Sequence, residues 1–207
     1  MINCIKKICI ISLAFLTLIS CQKEDNYDER TSLEIVKSLS NIDIDSIENT
    51  TDAELTAIFN KYGDNLQLDT LEIIESKTVN YNGLTGKSVV IDYEDRSENL
   101  DKSLIFILSE NNNVDTYLKY NIRWENEIGY VDVTTEDKSF MSAEVSSSYE
   151  VINLSFNKIH GDGSYLDCLD GAVSACVNDG ECAFICGIIW KYCLGAVATA
   201  CLGHHYL

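Results

Sequence analysis

The 207-residue sequence has no proline. Breaks in its structure must therefore come from Gly, Asn and Asp rather than from a missing amide donor. Positive charge is scarce, with 15 basic against 33 acidic residues and a formal net charge of −18. So anionic a surface repels phosphate backbones and anionic lipid, which excludes nucleic acid as a partner. Histidine is also scarce. His160 has no neighbouring cysteine nucleophile, and His204 and His205 are adjacent near the C-terminus. There is no phosphate-cradling glycine loop, no serine-centred elbow and no EF-hand loop. The carboxylates are scattered over strand faces and loops, and no pair stands out. The expectation is a protein that is not an enzyme, with no cofactor, no metal and no small-molecule substrate.

Cysteine is absent from residues 22 to 167, yet the chain has nine. Cys4 and Cys9 lie in an apolar N-terminal segment, Cys21 ends it, and Cys168, Cys176, Cys182, Cys186, Cys193 and Cys201 crowd the last 40 positions. Lys6 and Lys7 followed by the apolar run Ile8–Ile19 have the form of a secretory signal, too short for a comfortable membrane span. All 33 acidic residues follow this segment. With Leu18, Ile19, Ser20 and Cys21 in the lipobox positions, residues 1–20 resemble a bacterial lipoprotein signal peptide. The resemblance implies cleavage before Cys21 and its lipidation with diacylglycerol and palmitate-type acyl chains. Each buried methylene contributes about 0.8 kcal/mol, so two or more chains anchor the protein stably. Gln22-Lys23-Glu24-Asp25 is similar to the surface-export signal of some Gram-negative lipoproteins. The implied location is the outer membrane or cell surface, with the membrane as a partner through the N-terminal lipid.

Residues 21–30 are charged and lack an apolar period, which predicts a lipidated tether. Thr31 with Glu34, and Thr51 with Glu54, have the capping-box spacing, so two helices are predicted, over Thr31–Asn41 and from Thr51 to a C-cap at Gly63. From Leu71 to Phe156 the apolar period is two. Segments at Leu71–Tyr81, Ser88–Tyr93, Leu104–Leu108, Leu118–Trp124, Ile128–Val133, Phe140–Val145 and Tyr149–Phe156 predict an antiparallel β-meander, with turns at 111–113 and 125–127. The expected fold class is α+β, with two N-terminal helices covering one face of the meander, followed by a small disulfide-rich α-helical module. The expected domains are 31–159 for the α+β part, 160–163 for a glycine-containing linker and 164–207 for the cysteine-rich module.

The module reads C-x7-C-x5-C-x3-C-x6-C-x7-C. Six cysteines outside the cytoplasm, in a segment too short to bury a sufficient core alone, predict three disulfides. The pairing stays open. A helix capped by Ser164 and running to Val177, then a second helix from Glu181, would make an αα-hairpin. Cys176 would approach Cys182 or Cys186, and Cys168 would approach Cys193. Cys201 would lie about 22 Å from Cys186 on a straight helix, so a bend near Gly195 and a third short helix are expected. From Cys182 to Gly203 the only charge is Lys191. That apolar character has three readings: a stapled core, a unit that inserts into a target membrane, or a span of the protein itself. Lys191 near the midpoint, at about 2.5–3.5 kcal/mol on insertion scales, argues against the span. A zinc site from Cys182, Cys186, His204 and His205 is chemically conceivable but disfavoured where thiols oxidise.

The Gly/Ala-rich, multi-cysteine end, with Phe184-Ile185-Cys186-Gly187-Ile188-Ile189, resembles halocin-type cysteine-rich bacteriocin precursors. The family's double-glycine processing site is interrupted here as Gly161-Asp162-Gly163. The resemblance implies a membrane-anchored lipoprotein whose C-terminal module has a bacteriocin-like, membrane-active role on neighbouring cells. It implies a leader or immunity role for the region before it. Ile185, Ile188, Ile189, Trp190 and Tyr192 are the membrane-insertion candidates. The alternative is a non-enzymatic surface-binding or structural lipoprotein whose meander is the working part.

Overall fold

The two-residue period from Leu71 onward becomes sheet. The computed structural model describes residues 44–94, 100–135, 138–148, 151–157, 165–178 and 190–205. Among them, strands β1 (Ile44–Asn49), β2 (Glu72–Tyr81), β3 (Lys87–Glu94), β4 (Asp101–Leu108), β5 (Val114–Glu125), β6 (Ile128–Thr135), β7 (Lys138–Ser146) and β8 (Val151–Phe156) form one antiparallel sheet in sequence order. Helix α1 (Asp52–Leu66) connects β1 to β2, while α2 (Tyr165–Asn178) and α3 (Trp190–His205) follow β8. The β5–β6 turn has Asn126 and Glu127 at φ 49° and 69°. Positive φ at both central residues is the hairpin geometry whose twist matches the flanking strands.

This corrects the expected architecture of two N-terminal helices plus a meander and a separate small module. A strand, β1, precedes α1 and extends the sheet to eight strands. Its sequence, IDSIEN, pairs with β2 as an edge strand whose side chains are half-buried at best. It therefore has little of the apolar alternation that marks the other strands. The predicted Thr31–Asn41 helix lies outside the described residues. Gly63 does not end α1; the helix continues to Leu66, where Gln67 caps it in the left-handed conformation. The C-terminal helices do not form a core of their own. Leu169, Ala172, Val173, Leu194, Val197, Ala198 and Leu202 belong to the same buried cluster as Val79, Val90, Ile105, Leu118, Val131 and Met141 of the sheet.

Helix α1 covers the opposite face. Ile58 is fully buried against a cluster that includes Val89, Ile91, Leu104, Phe106 and Tyr117, with the Tyr62 and Tyr117 rings 4.9 Å apart edge to face. The continuously apolar run of β4 follows from this arrangement, because Leu104 and Phe106 face α1 while Ile105 and Ile107 face the C-terminal helices. The start of α1 is fixed to the sheet by Glu54. Its carboxylate accepts from the Thr51 amide at 2.8 Å and Thr51 Oγ1 at 2.8 Å, completing the capping box, and from Thr78 Oγ1 at 2.9 Å. Its other oxygen pairs with Lys87 Nζ at 2.5 Å.

Burial by itself would raise the Glu54 pKa, but the Lys87 ammonium and the Thr51 and Thr78 donors outweigh it and hold the carboxyl at about 2, against an ordinary 4.5. A folded-state pKa below the unfolded value stabilises above the unfolded pKa, and that contribution is lost as pH falls from 4.5 towards 2. Glu54→Gln is expected to cost about 2–3 kcal/mol at pH 7. The difference from wild type should shrink steadily below pH 4.5 in urea titrations; a pH-independent difference would contradict the assignment.

Candidate functional site

Helix α3 is the feature that sets this sheet protein apart. Its sequence from Leu194 to Leu202 is LGAVATACL, and every one of these residues is buried. An amphipathic helix hides one stripe, whereas a helix apolar all round must be enclosed. Small side chains make this possible. The close approach is tightest at Gly195, where an added Cβ would lie 2.6 Å from Ser88 Oγ and 2.7 Å from the Tyr81 hydroxyl. Those two hydroxyls are 2.5 Å apart, and Tyr81 donates to the Tyr192 carbonyl at 3.1 Å. Burial pushes the Tyr81 phenol well above its usual range, so it stays a donor at all ordinary pH values. A turn further on, Gly86 brings the β2–β3 connection so close that its Cβ would meet Thr199 Cγ2 at 2.8 Å. The Thr199 hydroxyl itself donates back to the Gly195 carbonyl at 2.8 Å.

The expected bend at Gly195 is absent. The glycine serves helix–sheet contact instead, and α3 runs straight through it. That changes the pairing. Cys168 in the first turn of α2 is bonded not to Cys193 but to Cys201, with the Cα atoms 5.7 Å apart. A straight α3 carries Cys201 about 12 Å beyond Cys193, opposite the start of an antiparallel α2. Cys176 and Cys193 are each in a disulfide too. Cys182 and Cys186, like the lipidation candidate Cys21, the tether and the 160–163 linker, lie outside the described residues.

Of the membrane-insertion candidates, Ile185, Ile188 and Ile189 also lie outside the described residues, and Trp190 opens α3. Tyr192 is half-buried against the sheet core. Among the described residues no helix is long and apolar enough to cross a membrane.

The first turn of α3 is tied to the sheet by charge. Lys191 Nζ is ion-paired with Asp92 Oδ2, and Ser103 Oγ donates to Asp92 Oδ1 at 2.6 Å. Beside this pair, where β3 ends and β4 begins, a cleft of ≈ 370 Å³ opens into the sheet. Tyr120, Ile122, Val131 and Val145 give it apolar walls, and Glu75, Asp92, Glu94 and Asp101 give it carboxylates. Trp124 forms part of its lining and is 38% exposed. It lies over Gly129, whose Cβ would come within 3.0 Å of the indole.

Sequence reasoning passed over Tyr81, Ser88 and Asp92 as ordinary strand positions and left Ser103 just before a predicted strand. A signal was present in β3, KSVVIDYE, which is apolar on one face while Ser88 and Asp92 interrupt the other. Polar residues at inward positions require partners: Ser88 finds Tyr81 on β2, and Asp92 finds Ser103 on β4 and Lys191 on α3. Comparisons with protein-family models, with curated proteins and with solved structures found no match.

Two variants test the seat of the hairpin. Gly195→Ala would stabilise an isolated helix by about 1 kcal/mol, but here overpacking against Ser88 and Tyr81 should produce a net loss of about 1–2 kcal/mol. A gain in thermal midpoint would show that the contact is looser than described. Removing the bond with Cys168→Ala and Cys201→Ala together opens a 33-residue separation. The expected loss is about 2–4 kcal/mol in denaturant titration, with the remaining bonds oxidised.

Proposed function

We propose that this is a lipid-anchored surface protein in which the sheet shields a disulfide-stapled apolar hairpin with a bacteriocin-like, membrane-active role. The observation that carries the reading is the burial of α3 on every side from Leu194 to Leu202. In the intact chain this apolar helix is enclosed between the protein's own sheet and α2. Cys168–Cys201 joins the start of α2 to the far end of α3, so after a cut in the 160–163 linker the two helices would remain one linked unit. Anchoring through Cys21 would leave the shield on the producing cell and let the hairpin diffuse. In this reading α2 and α3 are cargo, and residues before the linker are both carrier and protection.

A second reading is supported by the cleft beside Lys191. There the hairpin is a permanent core element of a surface-binding lipoprotein, and the sheet end is the working part.

The readings separate in one experiment. A protease site placed at 160–163 allows the purified chain to be cut, and the oxidised C-terminal fragment separated by reversed-phase chromatography. The fragment is expected to release dye from vesicles at micromolar concentration, while the uncut chain is silent. A silent fragment, or an uncut chain equally active, sinks the shielding idea. Mass spectrometry of producing cultures should find the free oxidised fragment in the medium; only intact lipidated chain there favours the second reading.

A further inference from the structure

We infer that the cleft at the β3–β4 end is a binding site for a small organic cation with an apolar body, such as an arylalkyl ammonium. This stands apart from any release of the hairpin, because the cleft exists in the intact chain. Its volume of ≈ 370 Å³ lies within the range of small-molecule pockets. The walls select the body of the ligand. Tyr120, Ile122, Val131 and Val145 offer aliphatic and aromatic surface and little to satisfy a buried polar group. Trp124, 38% exposed, places an indole in the lining, the side chain type with the strongest attraction for a cation.

The carboxylates select the charge. Asp92 is already engaged by Lys191 and Ser103. Glu75 pairs with Lys77 at 3.0 Å. Among the described residues Glu94 and Asp101 make no ion pair or side-chain hydrogen bond. Among the described residues Lys102 and Lys191 are the cations of the lining, so carboxylates outnumber ammonium groups there. On a chain of formal charge −18 the long-range field adds to this preference and steers cations inwards. An anion of the same shape would meet repulsion at the rim, and a neutral molecule would gain only from the walls.

The test uses the full mature chain with Trp190→Phe, which leaves Trp124 as its one indole. Titration with phenethylammonium is expected to give a saturable change in fluorescence. Phenethyl alcohol should bind at least tenfold more weakly, and 3-phenylpropionate should give no saturable change. Glu94→Gln with Asp101→Asn should weaken the ammonium at least tenfold and leave the alcohol unchanged. Raising the salt concentration on the unsubstituted rim should do the same in milder degree, which keeps the test valid if the double variant does not fold. No saturable response to the ammonium, equal affinity for all three probes, or ammonium binding indifferent to salt overturns the proposal.

Discussion

A helix with no polar side controls this fold. Residues 194–202 of α3 offer water almost nothing, so the chain must surround them, and an eight-stranded sheet supplies the necessary area. Other features follow from that enclosure. The central strands must be apolar on both faces, since one packs on α3 and the other needs α1 as its cover. The helix must be built from Gly, Ala and Thr where it comes closest to the strands. The few inward polar groups of the sheet must find partners on the helix, as Tyr81 does at the Tyr192 carbonyl and Asp92 at Lys191.

The contact at Gly195 shows how strictly this is arranged. There the helix backbone approaches a hydroxyl pair with no room for a methyl group. Such close approach makes the hydroxyl–carbonyl bond possible and satisfies the Tyr81 donor. At the other face Glu54 has the equivalent role with opposite chemistry. A buried carboxylate, three hydroxyl and amide donors and the Lys87 ammonium secure the cap of α1 to β2 and β3. The two faces of the sheet are therefore registered to their helices by polar contacts set within apolar layers.

These polar contacts are where sequence reasoning ended. The strands from β2 to β8, the capping box at Thr51 and the turns at 111–113 and 125–127 were legible because each depends on local periodicity or turn chemistry. The oxidised state of Cys168 and Cys201 was legible from the even count of cysteines in a segment too short for a core of its own. Their pairing was not, because it hangs on whether Gly195 bends the helix. A glycine within a helix reads locally as a weak point, and only the Tyr81–Ser88 pair opposite reveals it as a point of contact. Strand β1 was missed because an edge strand buries too little to impose alternation. The cleft was invisible for a different reason: residues 75, 92, 94 and 101 become neighbours only through the register of β2, β3 and β4.

Enclosure also has a consequence for how a hairpin could act. In the intact chain the sheet meets α2 and α3 as parts of one molecule, at an effective concentration on the order of millimolar for a short connection. Separation exposes Val79, Val90, Ile105 and their neighbours on the sheet at the same time as the helix, so spontaneous opening is strongly opposed. A cut in the linker leaves the contacts between sheet and helices in place. It only converts an intramolecular association into a bimolecular one, whose dissociation then depends on dilution and on competitors for the apolar surface. A lipid bilayer is such a competitor for the helix, since hydrocarbon solvates leucine and alanine as well as the sheet does. A shield held on one cell by lipid and a hairpin free to dilute would favour capture near the producer and loss of the shield further away. On the proposed reading, the same burial that would keep the helix inert beside its own sheet would make distance from that sheet the controlling variable.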